Sequence, residues 1–159
     1  MTPSLPWTGR CQCGQLTYRI VAAPWTLYCC HCTECQAQSS SAFGMSLRCA
    51  ASAVEWQGEA AARIRDEGAP SEVEGLFCPH CGSRILHRGR NHDAGNNAGG
   101  ADVSIKAGTL DDTSWLRPVG HIWLRSKQAW FEPDPTLLNY DGQPDGWDDL
   151  REAWTRRSA

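Results

Sequence analysis

The sequence predicts a mainly β protein with one short helix near its C-terminal end. Three observations lead to this prediction. Short runs of alternating apolar and polar residues recur along the 159-residue chain, glycines and prolines separate these runs, and helical spacing of apolar residues occurs only near the end. Hydrophobic residues make up 41% of the chain and charged residues 21%, as in folded globular proteins. We therefore expect a single domain over residues 1–159, built from several short antiparallel sheets.

The strands are predicted from alternation and from flanking turn signals. Leu16, Tyr18 and Ile20 alternate with polar residues and indicate the first, half-buried strand. Eight further runs have the length and composition of strands. In chain order these are Trp25–Cys29, Gly44–Cys49, Val54–Gln57, Ala62–Arg65, Glu72–Phe77, Ser83–His87, Asp102–Lys106 and His121–Arg125.

The predicted helix spans about residues 146–156. Asp145 can cap its start, and Trp147, Leu150 and Trp154 follow at spacings of three and four, which places them on one face. We expect that face to pack against a sheet, with a partner-binding helix as the alternative.

The segment Gly89–Gly100 is polar and rich in glycine and asparagine. Such a composition indicates an exposed, mobile loop. The loop is either a solvated excursion between strands or a lid over a site.

Seven of the nine cysteines fall into three tight groups. Cysteines this close together hold one cation more readily than they form disulfides, so the groups indicate zinc ligands. The odd number of cysteines, with no apolar stretch in Met1–Arg10, favours the reducing cytoplasm. The groups are Cys11-Gln12-Cys13, Cys30-His31-Cys32-Thr33-Glu34-Cys35 and Cys78-Pro79-His80-Cys81.

The first and third groups together supply four thiolates for a structural zinc ion. Cys11 and Cys13 form one pair and Cys78 and Cys81 the other, and a glycine directly follows each pair. Glycine suits the left-handed backbone that closes such a turn. We therefore pair these groups on one tetrahedral zinc ion.

The middle group, Cys30, Cys32 and Cys35, is one ligand short of a second tetrahedral site. A zinc ion with three thiolates and an open position, filled by water or a substrate thiol, is typical of catalytic chemistry. The alternative is a closed site completed by Cys49 or by a histidine. Cys29 is a poor fourth ligand because neighbouring side chains of an extended segment point to opposite faces.

Charge and hydropathy argue against some partners. The formal charge is −3, and no basic run is long enough to indicate a nucleic acid partner or a membrane surface. No stretch approaches the roughly 18 apolar residues of a membrane span. We therefore expect neither a nucleic acid nor a membrane partner.

The cysteine motifs and two others together resemble the glutathione-dependent formaldehyde-activating enzyme family, whose domain is shared with centromere protein V. The matching segments are Gly9–Gly14 (GRCQCG), Cys30–Cys35 (CHCTEC), Phe77–Ser83 (FCPHCGS), Gly108–Asp112 (GTLDD) and His121–Trp123 (HIW). The resemblance implies a domain core from about residue 9 to residue 140. It also implies a fold of the zinc-binding exchange-factor and chaperone type.

The resemblance implies two zinc ions per chain and a carbon–sulfur lyase activity. The structural zinc would lie on Cys11, Cys13, Cys78 and Cys81, and the catalytic zinc on the middle group. The reaction would add a thiol such as glutathione to formaldehyde, giving S-hydroxymethylglutathione, or act on a related thiol adduct. Two other functions are weighed against this one: a non-catalytic, zinc-stabilised protein-binding module and a zinc or thiol-stress sensor.

The segment after the middle group departs from the family pattern. Members commonly place a basic residue directly after the third cysteine, whereas this chain continues with the uncharged run Gln36–Ser41. A charge that would meet a substrate carboxylate has to come from elsewhere. The candidates are Arg84, Arg88, Lys106, Arg125 and Lys127.

Overall fold

Two β-sheets and two α-helices make up the part of the chain that the computed structural model describes, residues 2–65, 72–89 and 102–158. The helices are α1 (Thr33–Ser39) and α2 (Asp148–Ser158). The strands are β1 (Trp7–Arg10), β2 (Thr17–Ile20), β3 (Thr26–Cys30), β4 (Gly44–Ala50), β5 (Val54–Gln57), β6 (Ala61–Arg65), β7 (Val73–Phe77), β8 (Arg84–Gly89), β9 (Asp102–Lys106), β10 (Gly120–Ile122) and β11 (Leu138–Asn139). The predicted mainly β class is confirmed.

The small sheet has the order β1-β2-β5 and is antiparallel throughout. The large sheet has the order β11-β10-β3-β4-β9-β8-β7-β6. Its pairings are antiparallel except around β10, which runs parallel to both β3 and β11. This parallel edge differs from the antiparallel sheets that the sequence predicts, because β10 returns to β3 from a distant part of the chain.

Each predicted strand overlaps an observed one, and two of the described strands and one described α-helix were not predicted. These are β1, β11 and α1, so the expectation of a single helix at the end of the chain was wrong. The predicted run His121–Arg125 ends earlier, at Ile122, because Trp123 adopts a left-handed conformation with φ of 61°. Of the predicted loop Gly89–Gly100, Gly89 ends β8 and the rest lies outside the described residues.

Strand register divides the large sheet into an apolar face and a polar face. Residues that pair across antiparallel strands point to the same side of a sheet. One such row is Leu27, Leu47, Ile105 and Leu86, all of them buried. The opposite side, here called the polar face, carries Tyr28, Cys30, Gly44, Ser46, Arg48, Ser104, Lys106 and His87.

Helix α2 covers one end of the polar face. Leu150 and Trp154 are buried, which confirms the predicted C-terminal helix and its apolar stripe. The Arg48 guanidinium lies 3.9 Å from the centre of the Trp147 ring, just before the helix, and Arg151 stacks on Trp25 at 4.5 Å. Neither described helix is long and apolar enough to cross a membrane.

Candidate metal centres

The sulfur atoms of Cys11, Cys13, Cys78 and Cys81 form one cluster, in which all four lie within 4.8 Å of one another. The Cys11–Cys13 and Cys13–Cys78 sulfur distances are 3.5 and 3.7 Å. Four sulfurs on a tetrahedral zinc ion, each about 2.3 Å from the metal, are separated by about 3.8 Å. This four-cysteine cluster therefore fits a zinc ion and can hold a metal.

Two matching turns build the four-cysteine cluster. The amide of Gly14 donates to the Cys11 carbonyl at 3.0 Å, and the amide of Gly82 donates to the Cys78 carbonyl at 2.9 Å. Both glycines have left-handed backbones, with φ of 79° and 75°, as their position after each cysteine pair predicted. The amide of Leu16 also donates to the Cys11 sulfur. These backbone hydrogen bonds therefore stabilise the two turns that bring the four sulfurs together.

Two side chains beside the cluster, Gln15 and Ser83, favour the thiolate forms of Cys78 and Cys81. The Gln15 amide donates both to the Cys78 sulfur, at 3.3 Å, and to the Glu59 carbonyl. The Ser83 hydroxyl lies 3.2 Å from the Cys81 sulfur, and its hydrogen bond is the main reason that the pKa of Cys81 falls to about 5. A thiol with a lowered pKa is ready to bind a metal near neutral pH.

The sulfur atoms of Cys30, Cys32 and Cys35 form the second cluster and lie within 4.8 Å of one another. Cys30 ends β3, and Cys32 is the N-cap of α1, where its sulfur accepts a hydrogen bond from the Cys35 amide at 3.4 Å. Within the described residues, no further ligand atom, whether from a histidine, a cysteine or a carboxylate, joins this three-cysteine cluster. The cluster can hold a metal ion that keeps one position open.

The two remaining cysteines lie away from this cluster. Cys29 points to the side of β3 opposite to Cys30, as the alternation predicted, and Cys49 lies on the apolar side of β4. Burial raises the pKa of each thiol to about 12, so both stay protonated. The closed site with Cys49 as its fourth ligand is not seen in the described part of the chain.

The three thiols of the second cluster differ in pKa. Hydrogen bonds from Cys30 and Cys35 lower the pKa of Cys32, and the Cys35 amide and the Arg65 charge lower it further. The Cys30 thiol donates in this arrangement, which raises its own pKa. Cys32 is therefore the sulfur on which negative charge concentrates.

A cavity of about 660 Å³, here called the cluster cavity, opens beside the three cysteines. Its floor is the polar face, where the Tyr28 hydroxyl and the Ser104 hydroxyl are 3.2 Å apart. Trp147 and Gln143 form part of the far wall. The cavity is large enough for a small organic substrate, and the cysteines lie at its edge.

Two residues near the cluster were not predicted as site residues. The Nδ1 atom of His87 and the Nζ atom of Lys106 are buried and have no hydrogen-bond partner within the described residues. Burial lowers the pKa of both side chains. Sequence reasoning named Lys106 only as one of five possible cations. No sequence pattern indicated His87, which lies near the cluster because β8 pairs with β9.

Comparisons with known proteins find one family and one similar structure. Residues 6–126, most of the chain, match the sequence profile of the family described as glutathione-dependent formaldehyde-activating enzyme. A crystal structure of a Rhodobacter sphaeroides protein is similar, with 16% sequence identity and a TM-score of 0.49. That similarity covers 70% of this chain and 91% of the other. No curated protein matches the sequence.

Proposed function

Because the chain belongs to the glutathione-dependent formaldehyde-activating enzyme family, we propose that it is a zinc-dependent carbon–sulfur lyase-type enzyme. It would add a thiol such as glutathione to formaldehyde, or cleave the resulting S-hydroxymethyl adduct. The observation that carries the proposal is the three-cysteine cluster beside a cavity, with no fourth ligand atom among the described residues.

We propose two zinc ions per chain. Cys11, Cys13, Cys78 and Cys81 would hold a structural ion, and Cys30, Cys32 and Cys35 a catalytic one. Thiolate ligands select zinc among the common divalent ions. A zinc ion in the three-cysteine cluster would supply a Lewis acid and would lower the pKa of a thiol at its open position.

The chain's own side chains would orient the reactants and handle one proton. The reaction forms a carbon–sulfur bond and moves a proton from the thiol sulfur to the carbonyl oxygen, without any oxidant. His87 offers a neutral acceptor for that proton at Nδ1, because burial holds its pKa well below the usual value. Glu34 also lines the cluster cavity, but it is exposed and its Oε2 atom lies 3.5 Å from the Arg65 Nη1 atom, so its carboxylate is a less suitable proton acceptor than His87.

We also propose that the enzyme works in the cytoplasm. All nine cysteines are free thiols, and both clusters need reduced sulfur to bind a metal. An oxidising compartment would convert the ligands to disulfides.

Exchange NMR between hydrated formaldehyde and its glutathione adduct tests this function directly. We expect the wild-type protein to contain two zinc ions and to accelerate the exchange. Cys32→Ser should stay folded with one zinc ion and no acceleration. Cys29→Ala is the matched control, since it removes a neighbouring thiol outside the cluster and should behave as wild type. A two-zinc protein without acceleration, or an active Cys32→Ser variant, would contradict the proposal.

A further inference from the structure

A second cavity, of about 940 Å³, lies beside the four-cysteine cluster. One wall is the Cys11–Gly14 turn of the four-cysteine cluster, and another is the turn Gly108–Asp111. The end of α1 closes a third side. Gln38 lines both this cavity and the cluster cavity, so the two adjoin along α1.

Two cations line this second cavity, and neither forms a salt bridge with a carboxylate among the residues that the structure describes. The buried Nζ atom of Lys106 makes no hydrogen bond within the described residues. Arg84 makes neither a hydrogen bond nor an ion pair in the same part of the chain, and its charged neighbours Arg65 and Glu34 act on it only at longer range. The third cation, Arg10, is already paired with Asp111 at 3.0 Å.

The position of the Arg84 guanidinium depends on a glycine. Gly75 lies on β7, which pairs with β8, and a Cβ atom built on Gly75 would overlap the guanidinium group. Because Gly75 has no side chain, the Arg84 guanidinium can lie against the backbone of β7. Arg84 is held in place there, whereas an exposed arginine would sample many rotamers in water.

Gln38 adds a polar group of a different kind. Its buried Oε1 atom has no hydrogen-bond partner among the described residues. Buried amide oxygens are nearly always paired, so this atom is expected to accept an N–H group from a ligand or a water molecule. The cavity therefore offers two cationic groups and one acceptor for an amide N–H.

We infer that the second cavity binds a carboxylate-bearing, peptide-like molecule, with its carboxylate on Arg84 and Lys106 and an amide N–H on Gln38. The inference rests on the proposed function in one respect, since it identifies this molecule as the non-reacting part of the thiol substrate. Lys106 also lies near Cys30 and Cys35, so a ligand anchored here extends toward the three-cysteine cluster. The cations replace the basic residue that is missing after Cys35.

Binding of S-methylglutathione, measured by calorimetry, tests this assignment. The probe carries two carboxylates and two amides, but its capped sulfur cannot form a thiolate. We expect saturable binding to the wild-type protein and a loss of about tenfold or more in affinity for Arg84→Met and for Lys106→Met, because each removes a charged hydrogen bond. Arg156→Met is the matched control, since that arginine is exposed at the end of α2.

Gly75→Ala provides an independent variant that keeps every charge. Its methyl group should displace the Arg84 guanidinium and weaken probe binding to a similar degree, while the circular dichroism spectrum stays that of the wild type. Lys106→Arg should restore part of the affinity lost in Lys106→Met. Zinc content measured on each variant separates loss of the metal from loss of the carboxylate contact.

The inference is overturned if the wild-type protein does not bind the probe, or if folded Arg84→Met binds it as tightly as wild type. These results differ from a failure of the proposed function, because the probe needs neither turnover nor a free thiol. A protein that binds S-methylglutathione through Arg84 but does not accelerate exchange would support the cavity assignment and contradict the lyase assignment.

Discussion

The Nε2 atom of His31 lies 2.9 Å from the Nδ1 atom of His121, in a pair that is almost fully buried. Phe43 and Phe131 pack around the two rings. His31 stands between Cys30 and Cys32 in the chain, and its amide donates to the Ile122 carbonyl at 3.0 Å. The histidine pair thus fixes the backbone that presents two of the three clustered sulfurs, while its rings face away from them.

Removing one member of this pair should cost stability. We expect His121→Leu to lower the free energy of unfolding by about 1–3 kcal/mol, because it leaves a buried imidazole nitrogen without its partner. The double variant His31→Phe/His121→Leu should lose less than the sum of the two single losses. Urea denaturation of all four proteins measures this coupling, and simple additivity would show that the hydrogen bond contributes nothing.

The two cysteine clusters should respond differently to serine substitution. Cys81→Ser removes a ligand from the cluster that joins β1 to the turn before β8, so we expect most of the native circular dichroism to be lost. Structural zinc contributes on the order of 10–16 kcal/mol in finger peptides, which exceeds the stability of a typical domain. Cys32→Ser should keep its fold. Equal unfolding of both variants would rule out a division into structural and catalytic sites.

Metal removal should proceed in two phases. A chelator reaches a three-sulfur site through its open position, whereas a four-sulfur site has to lose a protein ligand first. We expect one zinc ion per chain to leave rapidly and the second slowly, followed with a colorimetric zinc indicator. The Cys32→Ser variant serves as the control and should show only the slow phase. A single phase with two ions in the wild type would contradict this expectation.

The ion pair between Arg48 and Asp102 should matter far more than a surface pair. Their closest atoms are 2.6 Å apart, and the side chains are only 9% and 11% exposed. We expect Asp102→Asn to cost about 3–5 kcal/mol, because it leaves a buried guanidinium without its carboxylate. Glu55→Gln breaks the exposed pair with Arg19 and should cost about 0–1 kcal/mol. Similar losses in urea denaturation would show that burial does not set the difference.

Close packing at Gly9 leads to a further prediction. A Cβ atom on Gly9 would overlap the Tyr18 ring and would lie 2.7 Å from the Thr109 carbonyl oxygen. We expect Gly9→Ala to cost roughly 1–3 kcal/mol, measured as a fall in thermal stability. Gly108→Ala is the control, because no atom lies within 4 Å of its added Cβ. Equal midpoints for both variants would contradict the prediction.

Sequence patterns predicted nine of the strands, β2 to β10, and the three cysteine groups because these features are local. Alternation such as Leu16, Tyr18 and Ile20 reports which side of a strand is buried, and cysteine spacing reports which sulfurs converge. Helix α1 escaped prediction because its segment Thr33–Ser39 has no apolar stripe. A cysteine sulfur caps it at Cys32, a residue type outside the usual capping set.

The sequence did not predict which side chains meet on the polar face of the large sheet. His87 approaches the three-cysteine cluster only because β8 pairs with β9, β9 with β4, and β4 with β3. These neighbours are not consecutive in the chain, so no periodicity connects His87 with Cys30. The parallel pairing of β10 with β3 is hidden for the same reason, because it joins residues about ninety positions apart, such as His121 and Cys29.

The two clusters also differ in when they can form during synthesis on the ribosome. Cys30, Cys32 and Cys35 emerge within one stretch of six residues, whereas Cys13 meets Cys78 across 65 positions. Synthesis of the 46 residues that follow Cys35 and end at Cys81, at about 5–20 residues per second, separates these two events by roughly 2–9 s. All three sulfurs of the three-cysteine cluster have therefore been synthesised before the second cysteine pair of the four-cysteine cluster exists.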